Sequence, residues 1–595
     1  MTVAAPVRPS ASPAPSAAAR PHDAPPPIDA DTFPDSTDAQ QDAAIADLNA
    51  HRADWAALGI RDRRAILGEL LKDFTAIADR WADAVRRAEG IPADIPTAAE
   101  EWLAGPYLIL RNIRLLAETL ADIERHGAPQ IPGPVRTRAD GRVTARVFPQ
   151  TAYDRIFYGG VRAEIWLPPG TDRATIASSM ARAYRRTPEP GTCLILGAGN
   201  VSSIGPMDAL YKLFVDKQAV LYKMHPLNPY LGPLMEAGFR ALLDWGVLRV
   251  VSGGVDVGAR LVTHDGVDEI HITGSDKTVE AIAFGTGAEG AKRKKAGTPR
   301  LDKPISSELG NVSPVIVVPG PWTPAEIDYH GENLAAMLVN NGGFNCNAAR
   351  VIVTHKDWPQ RAALLDAVRR HLLATPLRQA YYPGAAERHA RFVEAHPEAE
   401  RFGQPRDGEL PWTLITDLDP DHRDDICFQT EAFCAVFGET ALAASDTADF
   451  LAKAVAFCND TLWGTLNATL LVHPTTARRA ATRGAVDRAI ADLRYGTVAI
   501  NNWAAVGYGL VITSWGAYPG HDLQDIQSGT GVVHNTLMFD DVEKTVVHLP
   551  FVMRPKPPWF PSHRTSLGLA KRLTAFEAAP SPAKLPGILW QALRA

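Results

Sequence analysis

Two residues of complementary chemistry stand out in this chain. Cys346 lies in N-N-G-G-F-N-C-N-A-A-R-V-I-V, residues 340–353, after a glycine-containing loop and just before a β-branched run that reads as a buried strand. Upstream, Glu308 stands at the centre of S-S-E-L-G-N-V-S-P, residues 306–314. A thiol and a carboxylate flanking apolar strands could form a nucleophile and the base that activates water. Taken alone, one cysteine beside a strand reads more simply as a small buried hydrophobe. The pair gains weight from the segments that must position it.

Those segments change rhythm along the chain. From Asp38 to about Gly90, Trp55, Leu58, Ile66, Leu70, Phe74, Ile77 and Trp81 recur at helical spacing, and a second helical block runs from about Ala98 to His126. Strand-like 142–147 and 161–167 read as a β-ribbon outside the core. From Thr171 to Gly274 helices and strands alternate: helix 172–184, strand 192–196, helix 206–215, strand 219–223, helix 230–245, strand 248–251, helix 256–263 and strand 269–272. That alternation predicts a parallel, doubly wound sheet, which binds ligands beyond the carboxyl ends of its strands. The usual G-x-G-x-x-G pyrophosphate fingerprint is absent. Residues 285–303 break the rhythm with K-R-K-K at 292–295, which reads as a solvated insertion loop. A second α/β pattern follows, with strands at 314–318, 350–354, 465–472 and 497–501.

Composition excludes several classes. The 595 residues are 46% hydrophobic and 22% charged, as in a soluble globular protein of two or three domains. A net charge of −6 gives no reason to expect nucleic acid. The five cysteines are irregularly spaced, which argues against a disulfide framework or a metal site and fits a reducing, cytoplasmic compartment. No apolar run approaches the roughly 18 residues of a membrane span. Residues 1–37, rich in Pro and Ala, read as disordered.

In order, these pieces resemble the aldehyde dehydrogenase superfamily over roughly residues 50–548. The resemblance implies two doubly wound α/β domains plus a β-ribbon oligomerisation element. It also implies an NAD or NADP cofactor, a small aldehyde substrate and a homodimer or homotetramer. G-A-G-N at 197–200 followed by Lys223 matches the family's oxyanion-hole asparagine, here Asn200, and its cofactor-ribose lysine. V-S-G-G-V-D-V-G at 251–258, with Gly254, and I-T-G-S at 272–275, with Gly274 and Ser275, look like its cofactor-binding turns. Glu308 and Cys346 match its general base and nucleophile. T-E-A-F at 430–433 resembles the stretch whose Glu431 binds the nicotinamide ribose, with Phe433 packing nearby. W-G-A-Y-P-G at 515–520 resembles a closing loop, and D-V-E-K-T-V at 541–546 a subunit-bridging strand.

The implied domains are a tail at 1–37, a helical part of the cofactor domain at 38–140, a β-ribbon at 141–170 and a dinucleotide-binding domain at 171–307. A catalytic thiol domain at 308–525, a bridging strand at 526–548 and a C-terminal extension at 549–595 complete the chain. The extension's two amphipathic pieces read as helices that dock on the body or on a neighbouring subunit rather than on a membrane. An acid common in the family three residues after the lysine is Pro226 here, beside His225, which leaves room for the 2′-phosphate of NADP. Tyr153, Phe157, Tyr158, Phe344 and Trp503 could line an apolar tunnel, although core packing is the simpler reading for most of them. The implied reaction is oxidation of an aldehyde to a carboxylate through a cysteine thiohemiacetal and thioester. The alternatives are CoA-acylating chemistry, whose family members often lack the acid, and an inactive binding protein on the same fold.

Overall fold

The computed structural model describes residues 33–186 and 188–595, so the expected tail falls outside it as far as residue 32. Residues 33–37 depart from that expectation. Ser36 N–H donates to the Ser252 carbonyl at 2.9 Å, and Thr37 caps the first helix in a capping box with Gln40. The long helical stretch is two helices, Asp38–Ala57 and Ile60–Ala88, parted at Leu58 and Gly59. Ile66, Leu70, Phe74, Ile77 and Trp81 all lie on the buried face of the second.

The ribbon consists of β1 (Val135–Thr137), β2 (Val143–Phe148) and β3 (Arg162–Trp166). The first sheet follows with β4 (Thr192–Leu196), β5 (Ala219–Lys223), β6 (Leu248–Val251), β7 (Glu269–Gly274) and β8 (Ile305–Leu309). Its order is β6-β5-β4-β7-β8 and every pairing is parallel. The strand order therefore reverses between β4 and β7, where an open parallel sheet leaves a crevice for a ligand.

The second sheet uses β9 (Pro314–Val317), β10 (Val351–His355), β11 (Glu400–Phe402), β12 (Trp412–Leu418), β13 (Val436–Leu442), β14 (Asn467–Leu471) and β15 (Thr497–Ile500). A two-strand ladder, β16 (Trp515–Gly516) with β17 (Val532–Val533), and then β18 (Lys544–His548) follow. Eleven strands join in the order β1-β2-β3-β18-β15-β14-β9-β10-β13-β12-β11. The mixed α/β architecture agrees with the expected fold class.

Four expectations change in detail. The expected bridging strand β18 pairs in parallel with β15 and antiparallel with β3 of the same chain. Both of its hydrogen-bonding edges are thus occupied, which leaves none for another subunit. The ribbon is core rather than appendage: Val143, Ala145, Val147, Ala163 and Ile165 are buried. The helix expected at 172–184 breaks into a 3-10 turn, Arg173–Ser179, and a short helix, Arg182–Arg185. The break falls where Met180 bridges to Phe539 and Ala181 N–H donates to the Met538 carbonyl, a tertiary pairing that overrides local propensity. The basic insertion is helical over Gly287–Ala296; its last-turn Arg293, Lys294 and Lys295 complement the helix dipole.

The C-terminal extension docks on its own chain. Helix Ser566–Ala578 buries Leu569 and Phe576, and Phe576 stacks edge-on against Tyr153 and Phe157 at 5.0 and 4.9 Å. Glu577 fastens it: its carboxylate accepts from Arg111 at 2.8 Å and from Arg114 at 2.8 and 2.6 Å. Arg111 is 2% exposed and Glu577 3% exposed, so removing Glu577 leaves the buried Arg111 with only Asp154, 3.4 Å away, as its charge partner. No helix among the described residues is long and apolar enough to cross a membrane. Glu577→Ala is expected to destabilise the fold by about 3–5 kcal/mol, the usual cost of breaking a buried pair, read as a lowered midpoint in urea unfolding.

Candidate active site

The cysteine loop is built by close backbone approach. Helix Pro324–Val339 ends in a turn where Asn341, Gly342 and Gly343 all have positive φ, at 50°, 61° and 83°. A Cβ on Gly343 would lie 2.5 Å from the Cys434 carbonyl oxygen, so only glycine fits there. Buried Arg350 clamps the loop from beneath, donating to the Cys434 carbonyl at 2.9 Å and to the Gly343 carbonyl at 2.5 Å. The Asn341 side chain donates to the Asn200 carbonyl at 2.8 Å, and the Tyr381 hydroxyl donates to both residues. This ties the cysteine loop to the turn after β4. Asn200 Nδ2 donates one N–H to the Phe344 carbonyl at 2.8 Å, and an amide nitrogen carries a second.

Cys346 is half-buried and opens on the same cavity as Glu308, at the end of β8. Trp515 Nε1–H donates to Glu308 Oε1 at 2.8 Å and orients the carboxyl. Burial pushes the Glu308 carboxyl up to about 8, against the opposing pull of the Trp515 hydrogen bond. Burial also pushes the Cys346 thiol well up, and the neighbouring Glu308 and Glu431 carboxyls add to it. Glu431 is itself raised by burial to about 7. Three acidic groups thus share one poorly solvated site, and ionising one makes the next harder to ionise.

A cavity of 1030 Å3 runs from Cys346 and Glu308 across the carboxyl ends of β4, β5 and β7. Asn200, Lys223, Gly254, Gly274 and Ser275 line it from the first sheet; Glu431 and Phe433 line it from the loop after helix Ile426–Gln429. The nine residues singled out in the sequence therefore meet in one space. Its donor set fits a dinucleotide. Glu431 Oε1 is buried without a hydrogen-bond partner, and Lys223 presents an ammonium at the end of β5, so the cavity offers an acceptor and a donor of the kind that ribose hydroxyls pair with. Ser275 caps helix Asp276–Phe284, whose first N–H groups suit a phosphate. Burial and the Lys223 charge drive His225 down to about 4, so its ring is neutral near pH 7.

A second cavity of 250 Å3 reaches Cys346 from the opposite side. Phe157, Tyr158 and Trp503 line it, whereas the simpler sequence reading placed most of the aromatics in the core. Tyr153 packs on Phe576, and Phe344 packs between Tyr381 and Tyr382, so neither reaches the cavity wall. Arg350, Asn341, Tyr381 and Trp515 hold the site together and are not among the nine. Trp515 at least lay in a stretch matched to the family's closing loop. Arg350 acts through two backbone carbonyls, which no spacing rule reveals. Elsewhere His396, Asp425 and Cys427 converge, but Asp425 already pairs with His396 and caps a helix, as a structural network does.

Residues 170–398 match the aldehyde dehydrogenase family model. N-succinylglutamate 5-semialdehyde dehydrogenase of Novosphingobium aromaticivorans is 27% identical over 191 residues, covering 32% of this chain and 36% of that protein. Betaine aldehyde dehydrogenase 2 of Rhizobium meliloti is 34% identical over 136 residues, covering 22% of this chain and 26% of that protein. The matched segment thus spans about a third or less of these curated relatives. Solved folds extend the likeness. NADP-dependent glyceraldehyde-3-phosphate dehydrogenase of Bacillus halodurans, complexed with NADP, superposes with a TM-score of 0.58 at 16% identity, covering 86% of this chain and 92% of that one. Aldehyde dehydrogenase C of Pseudomonas syringae, complexed with NAD+ and octanal, gives 0.55 at 17% identity, covering 86% and 89%. Residues 170–398 are thus similar in sequence to aldehyde dehydrogenases, and the fold around them is the one those solved structures share.

Proposed function

We propose that the protein oxidises an aldehyde to its carboxylate with NAD(P)+, using Cys346 as nucleophile. The observation that carries this reading is the position of Cys346. It stands where a polar cavity suited to a dinucleotide meets an apolar one, with Glu308 in the lining of the first. Ionised Glu308 accepts the thiol proton, and the sulfur adds to the aldehyde carbon as a thiohemiacetal. The second Asn200 N–H and the Cys346 backbone N–H stabilise the oxyanion; one such donor is typically worth about 3–4 kcal/mol of barrier. Bound nicotinamide would supply the two-electron acceptor that takes the thiohemiacetal to the thioester. Glu308 releases that first proton to solvent; water then attacks the thioester as Glu308 takes its proton, the departing thiolate is reprotonated by Glu308, and the acid product ionises to the carboxylate. Trp515 holds Glu308 in place for this second half. A dedicated, oriented acid supports hydrolysis over transfer to CoA.

Lys223 and Glu431 would hold the ribose groups, and the N–H groups at Ser275 would hold phosphate. Pro226 lines the same cavity where an acid would repel a 2′-phosphate, which supports use of NADP as well as NAD.

Cys346→Ala is expected to abolish NAD(P)H formation at 340 nm; surviving turnover would remove the mechanism. Glu308→Gln, which removes the base of both half-reactions, should slow the burst of reduced cofactor and the steady state alike, each at least 100-fold. Because the base works ionised and its pKa lies near 8, wild-type kcat should rise with pH through about 8. A kcat flat between pH 6.5 and 9 would count against Glu308. For the cofactor, kcat/KM with NADP should fall no more than ten-fold below that with NAD, and a stronger NAD preference would refute the Pro226 argument.

A further inference from the structure

The apolar cavity is not made by the superfamily-like body alone. One wall comes from the C-terminal extension, through Met553, Trp559, Leu569, Leu573, Ile588 and Leu589. The facing wall comes from Tyr107, Leu108, Phe157 and Trp503. Cys346 closes the inner end, while Leu589 and Ile156, 37% and 45% exposed, stand at the rim. A hydrocarbon chain entering past Leu589 would therefore present its terminal carbonyl to the sulfur.

The charges around this space are already spent. Glu100 on the wall pairs with Arg378 and accepts from Asn341 N–H at 2.9 Å. Lys556 pairs with Glu332, which also accepts from Ser562 N–H at 3.1 Å. The Tyr107 and Tyr158 hydroxyls bond to each other, and Asn345 Nδ2 donates to Asn340 Oδ1 at 2.9 Å. Two buried polar atoms of the lining lack a partner, Asn347 Oδ1 and Trp559 Nε1. Both belong to neutral groups, which can bond a carbonyl or hydroxyl but cannot offset a carboxylate. An aldehyde bearing a second carboxylate would have to leave that charge desolvated, or take Lys556 from Glu332 and strand a buried acid.

We infer that the C-terminal extension is the specificity wall of this site, and that the substrate is an uncharged, apolar aldehyde with its hydrocarbon chain held between the extension and the body. The inference rests on the reaction proposed above for the same site. It separates this chain from N-succinylglutamate 5-semialdehyde dehydrogenase, the relative cited above, whose named substrate is anionic. The extension becomes part of the catalytic unit, because Glu577 pins its helix to Arg111 and Arg114 beside the cavity.

The test uses full-length protein with NAD and NADP, and hexanal, nonanal, succinic semialdehyde and betaine aldehyde as probes. Hexanal and nonanal are expected to exceed both charged aldehydes at least 100-fold in kcat/KM. Leu589→Glu, at a rim position where a carboxylate stays solvated, should lower the nonanal-to-propanal ratio of kcat/KM at least ten-fold. Leu573→Gln, deeper in the wall, should move it the same way. A charged aldehyde turned over as well as hexanal, or a ratio unmoved by both variants, would overturn the inference and leave the proposed reaction standing. Calorimetric titration of hexanal into Cys346→Ala protein reads the site without turnover. Saturable heat that Leu589→Glu weakens at least ten-fold in the same background supports the apolar site, and its absence overturns it. Saturable binding in a wild-type protein that oxidises no aldehyde with either cofactor would instead remove the reaction and keep the site.

Discussion

The meeting of the Cys346 thiol and the Glu308 carboxyl in one cavity joins the two halves of this molecule chemically. Glu308 closes the last strand of the first sheet, and Cys346 arrives on a loop that feeds the second. Burial makes both groups reluctant to ionise, and each charge would raise the cost of the other. The Glu431 carboxyl adds to that cost at the thiol. In the proposed reaction, a carboxyl poised near 8 takes a proton from sulfur in one half-reaction and from water in the next, since its basicity lies close to neutrality.

Such a pair works only if its backbone does not move. Three consecutive residues with positive φ give the loop its shape, and Arg350 holds it there through the carbonyls of Gly343 and Cys434. Asn341 and Tyr381 carry that rigidity across to Asn200, and Trp515 carries it to Glu308. Asn200 and Glu308, the proposed oxyanion donor and base, are thus fixed by groups outside the proposed reaction centre. That is how a site holds its geometry to within a fraction of an ångström.

The C-terminal extension alters the other side of the sulfur. A buried ion-pair cluster at Glu577 and two edge-on aromatic contacts at Phe576 turn a Pro-rich tail into a wall. In a similar way β18 fills its own chain's sheet on both edges, where the family resemblance implied a strand shared between subunits. Both segments pack against their own chain.

Much was legible in the sequence because local physics sets it. Short apolar runs between helical stretches located β4, β5 and β6 to the residue, and the strand-to-helix turn at Gly274 and Ser275 marked Ser275 as a helix cap. The residue types that can attack, accept a proton or bind a ribose were readable as types, and the family's order set them in sequence. Three-dimensional folding alone brought the nine residues to one cavity. It broke the 172–184 helix on Met538 and Phe539, made a helix of the basic insertion, and set Glu577 against Arg111 far along the chain. It also raised the Glu308 carboxyl and divided the aromatics between core and cavity wall. The reason is physical: spacing along a chain reports hydrogen bonds and faces within a few residues. Desolvation, charge coupling and cavity shape depend on which distant side chains pack around a group, and those neighbours exist only once the chain has folded.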